Sequence, residues 1–250
     1  MTQRTIILVG LVAIAGASFA NGESHHWSYF GKTGPAHWAE LDRTFSACSM
    51  GKQQSPINIQ TKSVHSAALP PLEFNYKPGA LHIVDNGHTI QANIDPGSSM
   101  AFGKERYELI QLHFHHPSEE RVDGKVFDME AHLVHRDAKG NLAVVAVLFN
   151  SGKQTAMVET LWQHLPGKRE LESSPNGVSI DPAELIPPNH SYFTYIGSLT
   201  TPPCSEGVRW LVLKSPQTLS KQEIATFAAH YPNDARPIQQ LNHRNVLTAM

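Results

Sequence analysis

Residues 109–120 read LIQLHFHHPSEE, and residues 127–135 read FDMEAHLVH. In both, polar and apolar residues alternate, the pattern of a half-buried strand. Successive side chains of a strand point to opposite faces. Gln111, His113 and His115 therefore share one face, and Leu112 and Phe114 the other. By the same parity Glu130 and His132 share a face. Between the two stretches, Asp123-Gly124 is a two-residue hairpin signal. A hairpin centred there makes facing positions add to 247, which sets His115 opposite His132.

Such a hairpin aims three imidazoles at one point. Three neutral histidines with a fourth position open is the arrangement of a catalytic zinc site, whereas structural sites more often close all four positions, commonly with thiolates. Glu130 and Gln111 are the carboxylate and amide types that accept from a ligand's second ring nitrogen and fix the ring. His113, His115 and His132 are thus the candidate metal ligands. His116 and His135 have the wrong parity and read as surface or loop histidines.

Working outward, strands are expected at Leu81–Val84, Thr89–Ile94, Glu108–His115, Phe127–His135, Leu142–Phe149, Tyr192–Ser198 and Val208–Leu213. Turn signals such as Asp85-Asn86-Gly87 and Lys139-Gly140-Asn141 separate them. Two helices stand out. Thr155–Leu165 carries an apolar stripe at 157, 158, 161, 162 and 165. Ser220-Lys221-Gln222-Glu223 is a capping box ahead of Ile224 and Phe227. The aromatic-rich stretch His25–Phe45 shows no period, and no linker divides residues 21–250. The expected fold is one domain, mainly β with peripheral helices (α+β), around a large twisted, mostly antiparallel central sheet.

The 250 residues carry a formal net charge of −2, which gives no field for nucleic acid or an anionic membrane. Residues 1–20 differ from the rest. Arg4 precedes an apolar run, Thr5–Ala17, and Ser18-Phe19-Ala20 offers small residues at a cleavage site. This reads as a signal peptide removed after Ala20, leaving residues 21–250 exported to a periplasm or secreted, with no stable membrane anchor. An uncleaved anchor is the alternative, but the run is short for a span. Cys48 and Cys204 are the only cysteines, and in an oxidising compartment one disulfide is expected. Closing a loop of about 156 residues would contribute roughly 5 kcal/mol by chain entropy. Two free buried thiols are the alternative.

Over nearly the whole of 21–250 the chain resembles the alpha-class carbonic anhydrases. The resemblance rests on HHWSYFGKTGPAHW (25–38), QSPINI (54–59), NGHTIQ (86–91), QLHFHHPSE (111–119), MEAHLVH (129–135), LAVVAVLF (142–149), SLTTPPCSEGVRWLVLKSP (198–216) and NDARPIQ (233–239), in that order. The Cys48–Cys204 pairing is also similar to that of exported bacterial members.

The resemblance implies reversible hydration of carbon dioxide to bicarbonate and a proton, with one Zn2+ per chain on His113, His115 and His132. It matches Gln111 and Glu130 to the groups that orient those ligands. Thr200 matches the threonine that accepts a hydrogen bond from zinc-bound hydroxide, and Glu119 the carboxylate that accepts from that threonine. His88 matches the proton shuttle, and Tyr29 and Gln91 the residues that order water toward it. Val134, Val144, Leu199, Thr200, Thr201 and Trp210 match the substrate wall. One position departs from the pattern: Glu120 stands where a histidine is common. The resemblance leaves a homodimer open. Two other functions compete, a binding module that has lost catalysis and a zinc hydrolase of esters; an intact histidine triad argues against the first, and the second can coexist as a side activity.

Overall fold

The strand Leu142–Ser151 lies at the centre of the sheet, and its sequence shows why. Residues 142–149 are all apolar, and Ala143 through Phe149 are buried. A run apolar on both faces suits a strand covered on both sides. Period two then divides it. Ala143, Val145, Val147 and Phe149 enter one core, and Val144, Ala146 and Leu148 the other. Each fully buried side chain of this size contributes roughly 1.5–3 kcal/mol.

The computed structural model describes residues 26–249, so the expected signal peptide at 1–20 lies outside the described residues. A twelve-stranded sheet dominates. Across it run His65–Ala67, Leu247–Ala249, Tyr192–Ser198, Glu206–Leu213, Leu142–Ser151, Met129–Arg136, Glu105–His115, Ile90–Asn93 and His82–Asp85. Most neighbours are antiparallel; Leu142–Ser151 runs parallel to Glu206–Leu213, and His65–Ala67 parallel to Leu247–Ala249. The expected mainly-β domain with few helices is the one observed.

Ala156–Gln163 buries Met157, Val158 and Leu161 along the expected stripe. Lys221–His230 carries the expected capping box. Glu223 does more than cap its own helix: one carboxylate oxygen accepts from Ser220 N at 2.7 Å and the other from Thr155 N at 3.1 Å. It thereby fixes the entry of both helices, near +0.5 charge at each N-terminus. The aromatic-rich N-terminal stretch forms short helical turns around buried Trp38, against which Trp27, Tyr29 and the Cys48–Cys204 disulfide pack.

The hairpin register differs from the sequence expectation. His132 pairs with His113, and His115 pairs with Glu130. The turn begins as expected, with Val122 bridged to Lys125 across Asp123-Gly124, both at positive φ. By Ser118, whose N–H donates to Phe127 O, the pairing has slipped by two positions. The cause lies between them: the N–H groups of Glu119 and Glu120 leave the ladder and donate to the Glu130 carboxylate at 2.8 and 2.9 Å.

A candidate metal centre

The two-residue slip preserves parity, so the three histidines still converge. One ligand nitrogen from each of His113, His115 and His132 lies within 4.8 Å of the others. His115 and His132 are each 1% exposed. Ring centroids stand 5.1 Å apart for His113 and His115, and 4.6 Å for His115 and His132.

Two of the rings have the second nitrogen hydrogen-bonded, and the third has a carboxylate beside it. His113 Nδ1 donates to Gln111 Oε1 at 2.8 Å, and His115 Nδ1 to the Asp234 carbonyl at 2.9 Å. His132 Nε2 lies 3.2 Å from Glu130 Oε1. These contacts leave His113 Nε2, His115 Nε2 and His132 Nδ1 as the unprotonated nitrogens. His115 Nε2 is buried without a hydrogen-bond partner, an uncommon state for such an atom. Burial, and then the nearby His115 and His132, hold His113 well below the ordinary histidine pKa, so it stays neutral as a ligand must. The donor set and its unpartnered nitrogen fit a divalent zinc-type cation.

Behind the triad sits a carboxyl pair. Burial, then the charge of Glu130, pushes the Glu120 carboxyl well above the usual carboxylate range. Burial also opposes ionisation of Glu130, but His132 and the bonds from His132 and Glu120 outweigh it and hold Glu130 below that range. The two opposite shifts favour a proton on Glu120 over one on Glu130. Glu120 Oε1 accepts from the Tyr195 hydroxyl at 2.7 Å. Glu120, Glu130 and His132 also cluster within 4.8 Å, but Glu130 already serves two backbone N–H groups, so this triangle backs the histidine centre.

A cavity of about 120 Å3 in front of the triad is lined by Tyr29, His88, Gln91, Gln111, His113, His115 and Thr201, among others. Val134, Val144 and Trp210 belong to one apolar cluster, and Leu199 packs against it. The Trp210 ring stands 4.9 Å from that of His132. Thr200 and Glu119 are both buried, but no hydrogen bond joins them among the described residues, and Glu119 Oε2 has no hydrogen-bond partner. His88 stacks on Trp27, centroids 3.6 Å apart and planes 7° from parallel. Burial, with His26 and Arg169 nearby, lowers its pKa to about 4.

A profile of the eukaryotic-type carbonic anhydrases matches residues 33–250. The chain belongs to the carbonic anhydrase family. It is 42% identical to a carbonic anhydrase of Nostoc sp., over 99% of this chain and 97% of that one. It is 43% identical to one of Pectobacterium carotovorum, over 90% and 91%. Among solved structures, the alpha-carbonic anhydrase of Thermovibrio ammonificans in complex with the inhibitor sulfanilamide superposes with a TM-score of 0.86 at 40% identity, covering 90% of this chain and 99% of that one. The carbonic anhydrase fold and enzyme class follow from this membership.

Two of the histidines set aside by parity behave differently from one another. His116 lies at the bend after its strand, its Nδ1 bonded to the Pro232 carbonyl, as a loop histidine. His135 is not a surface residue: it is fully buried and accepts or donates at 2.7 Å with the Tyr76 hydroxyl. The opposite face of this strand is also covered, so wrong parity there means a second core. Asp234, which holds His115, was not foreseen; the motif NDARPIQ contains it but gives no sign of contact with a histidine 119 positions away.

Proposed function

We propose that this chain is an exported zinc enzyme that hydrates carbon dioxide reversibly to bicarbonate and a proton. The reading rests on one observation, three buried or half-buried imidazoles converging, two with the second nitrogen hydrogen-bonded and the third beside a carboxylate. His113 and His115 through Nε2, and His132 through Nδ1, would hold the ion. When bound, zinc supplies a nucleophile from water at neutral pH, because it lowers the pKa of that water to about 7.

The remaining roles belong to side chains. Gln111, Glu130 and the Asp234 carbonyl keep the rings oriented. Glu119 can only accept, so a Thr200 hydroxyl that donates to it keeps its own lone pairs for the attacking group. Val134, Val144, Leu199 and Trp210 form a dry wall for an apolar substrate, and orientation against it lowers the entropic barrier. His88 carries the proton from the cavity to buffer, with Tyr29 and Gln91 ordering water between. Export is supported by the Cys48–Cys204 disulfide. A slower hydrolysis of activated esters would use the same site.

Stopped-flow carbon dioxide hydration tests the proposal. The zinc-loaded protein should be active, a chelated sample inactive, and added zinc restorative. Activity indifferent to zinc, or none at full loading, would overturn it.

A further inference from the structure

The segment Asp234–Arg236 has no regular secondary structure, yet it makes two contacts with the centre and one with the bend beside it. The Asp234 carbonyl accepts from His115 Nδ1. The Asp234 carboxylate accepts from His116 N at 2.7 Å. Arg236 N donates to Glu119 Oε1 at 2.7 Å. A segment without ladder bonds needs another anchor, and the Arg236 side chain is suited to it. Arg236 is 2% exposed. Its Nη1 donates to Gln54 Oε1 at 2.9 Å and Ser55 O at 2.7 Å, and its Nη2 to Cys48 O at 3.0 Å. The guanidinium carbon lies 5.5 Å from the Trp38 ring centroid. Gln54 in turn donates to Cys204 O at 3.0 Å, so the arginine is tied to both halves of the disulfide.

None of these guanidinium bonds reaches a carboxylate. A buried cation spends its donors on main-chain and amide oxygens, which fixes geometry more than it neutralises charge. We infer that Arg236 is the positioning residue for Glu119: its side chain anchors the irregular segment whose N–H holds one Glu119 oxygen. With that oxygen fixed, the second Glu119 oxygen, which has no hydrogen-bond partner and lies 3.5 Å from His115 Nε2, keeps a constant direction for a hydroxyl donor. A lysine cannot reproduce the role, because a point charge lacks the planar fork that reaches Cys48 O and Ser55 O together.

This inference rests on the proposed carbon dioxide hydration, and two measurements separate the failures. The first is amide hydrogen exchange in the metal-free protein. In Arg236→Lys and Arg236→Ala the amides of residues 236 and 116 should exchange at least about tenfold faster, while those of Leu142–Ser151 stay protected as in the wild type. The second is kcat/KM for carbon dioxide at matched zinc content, in a cycle with Glu119→Gln. Arg236→Ala should lower kcat/KM on the order of tenfold to a hundredfold, and by much less when Glu119→Gln is already present. If Arg236→Ala does not fold, Arg236→Lys takes its place in the cycle. Unchanged exchange at residues 236 and 116 overturns the inference, whether or not the wild type is active. So does a loss that multiplies fully with that of Glu119→Gln. A wild type inactive at full zinc loading overturns the functional proposal instead, and the exchange result still decides the role of Arg236.

Discussion

His132 stands directly across the antiparallel pair from His113, while its neighbour His115 faces Glu130. The carboxylate that orients His132 is therefore cross-strand from one histidine and two residues from another. It lies at the middle of the centre, not at its edge. Removing a ring and removing an orienting group should then have different consequences. His132→Ala should abolish stoichiometric zinc binding and activity, whereas Gln111→Ala should keep zinc but bind it about 10–100-fold more weakly. Competition with a chelator measures both. A His132→Ala protein that retains one zinc per chain would refute the ligand assignment.

How much of this was legible beforehand depends on what each rule counts. Parity located the three histidines because a slip of two leaves every side chain on its own face. The pairing itself was misread, since a hairpin rule assumes an unbroken ladder and here Glu119 N and Glu120 N bond a side chain instead. His135 was misread for another reason. Alternation tells which face a residue takes, not whether that face meets water, and this sheet is covered on both sides. Asp234 and Arg236 act from more than a hundred positions away through a segment with no periodic pattern, so spacing could not find them. The resemblance supplied Glu119 and Thr200, and the fold then showed one Glu119 oxygen held by Arg236 N and the other without a hydrogen-bond partner.

Glu120 occupies the position where the resemblance leads one to expect histidine, and the structure shows how a carboxyl can serve there. Burial and Glu130 push its pKa up, which favours the carboxylic acid, a form with a hydroxyl donor to offer beside Glu130 and an acceptor for Tyr195. A neutral amide has the same two capacities. Glu120→Gln should therefore change stability by less than about 1 kcal/mol, while Glu120→Ala, which removes the buried acceptor of the Tyr195 hydroxyl, should cost about 2 kcal/mol. Urea unfolding of both variants at neutral pH makes the comparison. Equal losses would mean that the amide does not replace the carboxyl.

His88 is stacked on Trp27, and its pKa of about 4 is set first by burial and then by His26 and Arg169. A group titrating so low holds a proton poorly at neutral pH. In weak buffer, His88→Ala should still slow turnover and be rescued by added imidazole, because among the described residues no other histidine lines the cavity except the ligands. Trp27→Ala should uncover the ring and move its pKa up toward 6.5, the value of a solvated histidine. Titration of the His88 ring protons by NMR reads this directly. A pKa that stays near 4 without Trp27 would show that the indole does not set it.

His135 gives the protein an acid-side limit to its stability. Unfolded, a histidine titrates near 6.5, but burial lowers folded His135 to about 4. Between those values the unfolded chain binds a proton that the folded chain excludes. Stability is therefore complete above pH 6.5, falls as the pH drops, and loses the whole contribution below pH 4. The gap corresponds to about 3 kcal/mol, undiminished by solvent because the residue is 0% exposed. Glutamine does not titrate in this range and can keep a hydrogen bond to the Tyr76 hydroxyl that now meets His135 at 2.7 Å. In urea unfolding at pH 7 and pH 4, the wild type should lose about 3 kcal/mol more than His135→Gln. An identical loss in the two proteins would place the acid sensitivity elsewhere in the chain.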